Sequence, residues 1–264
     1  MVGGNRDGDS DGSGGRDASV GDKLTRLAAA LPPELSAPFD ALWHYRTVPA
    51  GTVLVEDGHA PDHLGYVLDG MLGMVKQLSD GRRHIIGLLV PTDLYGRLFE
   101  GQTGYQIEAL TETRVMTTDL AAFEAILHQA PAAERLFIVD VLDELDAARE
   151  WVLVLGGPKV VQRVASFLLI LCRRQLHGQA RDEAGAPPQI KVRVPIRRSD
   201  LAQYLGARPE SLSRAIHELS AAGIVRIDTP YDLEVLDLAG LIEIAGHDLV
   251  MVGRENNRRD ADRA

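Results

Sequence analysis

Residues 198–219 read RSDLAQYLGARPESLSRAIHEL, and their spacing is typical of two short helices joined by a tight turn. Ala202 is small enough to lie where two helices cross, and Gly206 can adopt the positive φ that such a turn requires. Apolar side chains recur at helical intervals on both sides of this glycine, which predicts two helices packed on one core. These apolar residues are Leu201, Leu205, Leu212, Ile216 and Leu219.

The second predicted helix has a polar face opposite its apolar residues. This face carries Arg208, Glu210, Ser211, Ser213, Arg214 and His217. In the major groove of DNA an arginine can pair with guanine, a glutamate can accept a hydrogen bond from cytosine, and a serine can reach a base or a phosphate. The polar face therefore predicts contact with double-stranded DNA.

Basic charge is concentrated around this segment, although the chain as a whole is acidic. The formal net charge of the chain is −10 and its pI is about 5.3. Between residues 191 and 226, however, seven basic residues are accompanied by only three acidic ones. Gly223 ends the second helix, and residues 224–227 and 233–235 predict two strands joined by a turn. Local positive charge beside a β-hairpin favours a winged helix-turn-helix that binds DNA.

Length and composition favour two domains with a polar tail at each end. The 264 residues, 45% of them hydrophobic, are enough for two modest cores. Residues 1–22 are rich in Gly, Asp and Ser, and residues 247–264 are also polar, so both segments predict disordered tails. No apolar run approaches the roughly 20 residues of a membrane span, and the N-terminus has no apolar signal core. We therefore expect a soluble, cytoplasmic protein that does not contact a membrane.

Residues 45–119 consist of short strand-like pieces separated by turn signals, such as those that end at Gly58, Gly70 and Gly81. Repeated short strands at this spacing predict a jelly roll, or β-roll, rather than a parallel sheet. With its flanking helices, this domain is predicted to span residues 23–130. The chain has no Gly-rich phosphate loop, metal-ligand spacing or nucleophile elbow, so we do not expect an enzyme.

Residues 131–155 have no internal Gly or Pro and predict one long helix that ends at Gly156. Residues at steps of three and four form a mostly apolar stripe, a pattern that pairs helices. The stripe consists of Ile138, Leu142, Leu145, Arg149 and Val152. We expect residues 131–157 to form the dimerisation helix of a homodimer, with packing on its own roll as the alternative. Residues 158–246 would then hold a further helix over 159–177 and the winged helix-turn-helix.

Over residues 46–241 the chain resembles the Crp/Fnr family of transcription regulators, in the order β-roll, dimerisation helix and winged helix-turn-helix. The segments that carry the resemblance are PAGTVLVEDG, YVLDGMLGMVKQLSDGRRHIIGLLVPTDLYGR, RVASFLLIL and RSDLAQYLGARPESLSRAIHEL. The family pattern Glu-x-x-Ser-Arg falls on Glu210, Ser213 and Arg214. This pattern is similar to the Fnr/FixK branch rather than the cyclic-AMP branch, and in particular to FixK-like members that lack a cysteine cluster. The predicted class is therefore α+β.

The resemblance implies particular DNA contacts and partners. It implies an operator of the type TTGAT-N4-ATCAA, with Glu210 and Arg214 reading base edges and Ser213 meeting a thymine. The residues assigned to phosphate are Arg198, Ser211 and Arg208. Pro209 departs from the family pattern and removes one N–H donor early in the recognition helix. Contact with RNA polymerase and activation of genes for low-oxygen or nitrogen-oxide metabolism are also implied.

Three alternatives remain for what the β-roll senses. Cyclic-nucleotide binders of the family have a Gly-Glu pair and a later arginine; here the pair is Gly96-Arg97 and residues 103–106 contain no arginine, so the phosphate would lack its cation. Haem would need an axial histidine. The candidate ligands are His44, His59, His63 and His84. We prefer a roll that needs no small effector and no cofactor, in a protein whose activity depends on how much of it is made.

Cys172 is the only cysteine of the chain. An iron–sulfur cluster needs about four thiolates, so one chain cannot ligate it, and no other metal site is expected. Cys172 lies in an apolar run, where a cysteine is a small packed hydrophobe. The alternative is a redox role, because neighbouring Arg173 and Arg174 would favour a thiolate if the side chain were exposed.

Overall fold

The computed structural model describes residues 13–98, 101–177 and 190–246. In these ranges the chain forms a β-roll flanked by helices, one long helix and a winged helix-turn-helix domain, which confirms the predicted α+β class. The two N-terminal helices are α1 (Ser13–Ala29) and α2 (Pro33–Ala41). The strands of the roll are β1 (His44–Val48), β2 (Val53–Val55), β3 (His63–Asp69), β4 (Leu72–Gln77), β5 (Arg83–Leu89), β6 (Leu94–Tyr95), β7 (Gln106–Ala109) and β8 (Thr113–Asp119).

The roll is followed by three helices and then by the C-terminal domain. The helices are α3 (Leu120–Gln129), α4 (Pro131–Gly156) and α5 (Val160–His177). The remaining elements are β9 (Ile190–Arg193), α6 (Arg198–Tyr204), α7 (Pro209–Ala221), β10 (Val225–Ile227), β11 (Asp232–Val235) and α8 (Leu238–Ala245). None of the helices in the described ranges is long and apolar enough to cross a bilayer.

The roll consists of two four-stranded sheets whose neighbouring strands are antiparallel. Their strand orders are β1-β8-β3-β6 and β2-β7-β4-β5. Apolar side chains from both sheets form one buried cluster between them. Its buried members are Val48, Val55, Val67, Leu72, Tyr95, Ile107, Ala109 and Val115. The space between the sheets is thus filled by the side chains of the chain itself.

The outer surface of the first sheet is covered by α1, and this corrects the predicted N-terminal tail. The boundary predicted at residue 22 lies inside α1, which begins at Ser13. Val20 is 1% exposed and packs in a cluster with Tyr66 and Met116 of the roll. The free energy gained by covering this apolar surface outweighs the cost of ordering a segment of polar composition. The rest of that predicted tail, residues 1–12, and the predicted tail 247–264 lie outside the described residues.

The long helix α4 has two longitudinal stripes on opposite sides. One stripe is turned towards its own protomer and contains Ala133, Phe137, Asp140, Trp151 and Val154, all buried. The other contains the stripe predicted from the sequence and is exposed. Helix α4 therefore packs on its own protomer, but not through the predicted dimerisation stripe.

The winged helix-turn-helix forms as the sequence predicts. All five of the predicted apolar residues in α6, the turn and α7 are buried, and Ala202 is fully buried between the helices. Gly206 has φ +60° in the turn, and Gly223 has φ +73° after α7. Strands β10 and β11 form the hairpin of the wing, and β9 pairs with the other edge of β11. Helix α5 packs against α7 and α8 and forms part of the core of this domain.

The two domains share a hydrophobic core rather than touching at a point. The same buried cluster contains residues of α5, α6 and α7 together with Val75 and Leu88 of the second sheet and Met71, which precedes β4. Trp151 of α4 lies in this cluster, with its ring 6.1 Å from the ring of Tyr204 in α6. The roll thereby sets where the winged helix-turn-helix domain lies.

Candidate nucleic-acid interface

Helix α7 presents the predicted polar side chains on one accessible face. Leu212, Ala215, Ile216 and Leu219 anchor its other face in the core. The polar side chains differ in accessibility, because those nearest the core are partly covered. Arg208, Glu210, Arg214 and His217 are exposed, whereas Ser211 and Ser213 are half-buried. Pro209 occupies the first turn, where its missing N–H would have no partner within the helix.

The arginines around α7 differ in whether they are already paired. Arg197 lies 3.5 Å from Asp200, Arg226 2.9 Å from Asp228 and Arg193 3.9 Å from Asp232. Within the described ranges no carboxylate lies within 4.0 Å of Arg208 or Arg214, although Nε of Arg214 donates to the carbonyl of Glu210 at 3.4 Å. The basic excess counted along the sequence stops at Arg226 and so omits Asp228 and Asp232. Arg208, at the N-cap of α7, and Arg214, within the helix, are therefore positive charges without a carboxylate partner among the described residues.

Arg198 joins α6 to the wing. Its Nη2 donates to the carbonyl oxygen of Pro230 at 2.6 Å, and burial lowers the pKa of this guanidinium from its ordinary value. The wing turn is also braced by Thr229, whose Oγ1 accepts from the N–H groups of Tyr231 and Asp232 at 3.1 and 3.0 Å. Arg198, assigned from the resemblance to phosphate, thus has a structural partner as well. An arginine has five N–H donors, so this bond leaves donors for phosphate.

A groove of about 370 Å³ runs between α7 and the wing. Its lining residues are Arg198, Ser213, Ile216, His217, Ile227, Asp228, Thr229 and Pro230. Of the predicted DNA contacts, Ser213 and Arg198 line this groove, whereas Glu210 and Arg214 are not part of its lining. Arg208 and Glu210 lie at the N-terminal end of α7, which is the end that enters the major groove in helix-turn-helix proteins.

The predicted dimerisation stripe of α4 is exposed along its length. The exposed fractions are 45% for Ile138, 54% for Leu142, 46% for Leu145 and 67% for Val152, and Arg149 is also exposed. Arg149 binds Asp146 of the same helix at 2.7 Å. Exposed apolar surface along one side of a helix is typical of protein–protein interaction sites.

The four candidate haem ligands lie at the surface of the roll. His44, His59 and His84 are exposed, and His63 is half-buried, with Nδ1 2.7 Å from Oδ1 of Asp62. In the described parts of the chain, no group of three or more His, Cys, Asp or Glu side chains could hold a metal ion. Arg97, which stands where cyclic-nucleotide binders have a glutamate, is exposed rather than buried between the sheets.

Cys172 does not have the exposure on which the redox alternative depends. Its side chain is fully buried in the core of the DNA-binding domain, and burial raises the pKa of the thiol to about 12. The neighbouring guanidinium groups do not activate it, because Arg173 binds Glu150 at 2.6 Å and Arg174 binds Asp93. The buried side chain favours the predicted packed small hydrophobe over the redox alternative.

Known proteins share both the domains and their order. Residues 162–244 match the Crp-like helix-turn-helix domain, and residues 45–130 match the cyclic nucleotide-binding domain. The transcriptional activator protein FnrL of Cereibacter sphaeroides is 31% identical over 222 residues, which are 84% of this chain and 88% of FnrL. The chain belongs to the Crp/Fnr family of transcription regulators. As a member of that family it is a regulator with a helix-turn-helix DNA-binding domain, and not an enzyme.

Within the Crp/Fnr family, the regulator is similar to FixK proteins. The nitrogen fixation regulation protein FixK of Rhizobium meliloti is 27% identical over 190 residues, 72% of this chain and 82% of that protein. The structure of FixK2 from Bradyrhizobium japonicum has the same fold, with a TM-score of 0.65 and 24% identity, over 78% of this chain and 98% of that one. These similarities support the FixK-like branch that the pattern at Glu210, Ser213 and Arg214 predicts.

The polar contacts that join the roll to the DNA-binding domain were not predicted from the sequence. Gln203 of α6 donates through Nε2 to the carbonyl of Arg83 in β5, and Arg83 in turn lies 3.8 Å from Asp200 and 3.1 Å from Glu108. Arg174 of α5 reaches Asp93 of the roll. These partners lie far apart along the chain, so no local pattern could have identified them.

Proposed function

We propose that this Crp/Fnr regulator acts as a homodimer that reads a TTGAT-N4-ATCAA-like palindrome and activates transcription in contact with RNA polymerase. Two α7 helices enter successive major grooves, with their centres about one helical turn apart. The observation that carries the proposal is a pair of arginines that flank Glu210, Arg208 at the N-cap of α7 and Arg214 within it, which have no carboxylate partner in the described ranges. Arg214 and Glu210 read base edges, Ser213 meets a thymine, and Arg198, Arg208 and Ser211 hold phosphates.

Dimerisation through α4 is supported by the apolar stripe from Ile138 to Val152, which is exposed in one protomer and has the four-and-three spacing of a paired helix. A two-fold axis along this stripe makes the interface self-complementary. It also gives two recognition helices related by symmetry, which is what a palindromic operator requires.

We further propose that DNA binding needs neither an iron–sulfur cluster nor an obligatory small effector. The single cysteine cannot supply four thiolates. The space between the sheets of the roll is occupied by apolar side chains, and a cyclic phosphate buried there would lack a cation. Control of low-oxygen or nitrogen-oxide genes, and of activity through protein amount, fits the similarity to FnrL and FixK.

The test compares Arg214→Ala with Arg198→Ala on matched operators. Fluorescence anisotropy measures binding of the ligand-free protein to the TTGAT-N4-ATCAA duplex and to duplexes altered at one base pair per half-site. We expect Arg214→Ala to lose about 1–3 kcal/mol and to relax base preference at one position per half-site. Arg198→Ala should weaken binding to all sequences alike. An unchanged ratio between matched and altered operators for Arg214→Ala refutes its base-reading role.

A further inference from the structure

The turn between β5 and β6 contains a backbone conformation that is unfavourable for its residue type. It spans residues 90–93, and Thr92 has φ +82°, the single non-glycine residue with positive φ in the described ranges. This conformation is unfavourable for a β-branched residue and persists only where the surroundings impose it. Here the carboxylate of Asp93 accepts from the N–H of Val90 at 2.9 Å, and the N–H of Thr92 donates to Val67 at 2.8 Å. The turn thus holds the carboxylate of Asp93 in one position.

Asp93 uses its second carboxylate oxygen to bind the DNA-binding domain. Its Oδ1 accepts from Nη1 of Arg174, which lies in the C-terminal half of α5. The two side chains are only 6% and 20% exposed. Arg174 also lies with its guanidinium carbon 5.6 Å from the ring centre of Trp151 in α4. The ion pair therefore joins the roll to α5 at the point where α4 also packs.

The surrounding carboxylates keep Arg174 ionised although it is buried. Burial by itself would lower the pKa of Arg174, but the charge and hydrogen bond of Asp93, followed by the charges of Glu144 and Glu150, raise it above the ordinary value. Glu144 is in turn held by Lys23 of α1 at 2.7 Å. A buried charge left without its partner is strongly unfavourable, so neither side chain can leave without cost.

Packing alone does not fix the domains at this point. A cavity of about 70 Å³ lies beside the pair, between the roll and the DNA-binding domain. Its lining includes Pro91, Thr92, Leu171, Arg174 and Val192. Where side chains leave a gap, they lose contacts that would resist sliding. The ion pair supplies the directional constraint there.

We infer that Asp93 and Arg174 are positioning residues that fix the orientation of α7 relative to the roll, and so relative to α4. A second link, between Arg83 of β5 and both Asp200 and Gln203 of α6, holds the same domain at a different element. Together with the shared core, two separated links restrict rotation of the domain more than one link alone would. This inference rests on the proposed effector-free dimer, because a fixed orientation in the ligand-free protein replaces the ordering that a bound effector would provide.

The experiment measures how well the regulator discriminates the spacing between half-sites. Adding one base pair to the N4 spacer moves the half-sites apart by 3.4 Å and rotates them by about 35°. A rigid dimer should tolerate this change poorly, and a dimer with loose DNA-binding domains should tolerate it. Anisotropy titrations of full-length protein on N4 and N5 duplexes, at one salt concentration, give the spacing ratio, which is the Kd for N5 divided by the Kd for N4.

Arg174→Gln and Asp93→Asn should each reduce that ratio by about tenfold, through weaker binding to N4 and little change on N5. Arg174→Lys keeps the charge and should restore part of the ratio. The matched control is Arg173→Gln, which removes an ion pair of similar burial from the next position of α5, but one made to Glu150 of α4 rather than to the roll. The control should keep the wild-type ratio.

The outcomes separate this inference from the proposed function. If wild type binds N4 with a spacing preference and Arg174→Gln and Asp93→Asn keep the same ratio, the positioning role is wrong. An equal loss of ratio in Arg173→Gln also refutes it, since a general loss of helix stability would then explain the effect. If both buried variants fail to fold in thermal melts, Arg83→Gln, at a side chain 33% exposed, decides in their place. A wild-type protein with no preference for the palindrome refutes the proposed function itself.

Discussion

Replacing Leu142 by alanine should weaken the dimer without unfolding the protomer. Burying a whole leucine contributes roughly 1.5–3 kcal/mol. Leu142 leaves 54% of its surface exposed in one protomer, so covering that part contributes about 1–1.5 kcal/mol, or about 2–3 kcal/mol for the two symmetry-related copies. Alanine keeps a small part of this gain. The dimer dissociation constant should therefore rise roughly 30-fold, since 1.4 kcal/mol corresponds to a factor of ten.

Sedimentation equilibrium over a range of protein concentrations measures this constant directly. The matched control is Leu136→Ala, because Leu136 is also a partly exposed leucine of α4, at 39%, but lies about 200° around the helix from Ile138. The control should dimerise like wild type. The reasoning is refuted if Leu142→Ala has a wild-type dissociation constant, or if Leu136→Ala weakens the dimer as much.

Two further predictions concern buried groups. Because burial raises the pKa of Cys172 to about 12, native protein at pH 7.5 should resist alkylation by iodoacetamide while denatured protein reacts, as mass spectrometry will show; rapid modification of native protein would contradict this. Burial also raises the pKa of Asp140, against the charges of Arg26 and Lys23. A carboxyl whose pKa is raised by folding stabilises the fold less once it ionises, so Asp140→Asn should melt higher than wild type at pH 7, and the difference should shrink towards pH 4. A lower melting temperature for Asp140→Asn at pH 7 would overturn that reasoning.

The helix-turn-helix could be predicted from the sequence because its determinants are local. Gly206 and the apolar residues from Leu201 to Leu219 fall within 19 residues, where helical periodicity specifies both the helices and the faces they bury. The exposed stripe of α4 was found for the same reason. The buried stripe of α4 was not predicted, because Asp140 and Glu144 interrupt its apolar pattern. In the fold these two carboxylates are bound by Arg26 and Lys23 of α1.

Contacts between distant parts of the chain could not be predicted. Asp93 and Arg174 are 81 positions apart, and Arg83 and Gln203 are 120 positions apart. Neither pair has a spacing signature, because only the docking of the two domains brings them together. The same applies to Cys172, whose exposure depends on which side of α5 is turned to the core. Prediction of the N-terminal tail failed for a related reason, since Val20 becomes buried only against the folded roll.

The shared core of the two domains has a consequence for how such regulators can be recombined. Gly157 divides the sequence into a half that contains the roll and α4 and a half that contains the DNA-binding domain. Separating the two halves would expose apolar side chains on both sides of the shared core. On the roll these are Met71, Val75 and Leu88, and on the other half they belong to α5 and α6. A chimera that joins this roll to the DNA-binding domain of another regulator must therefore bring a complementary apolar surface, together with partners for Asp93 and Arg83. The unit that can be exchanged is therefore a domain together with its side of the shared apolar interface.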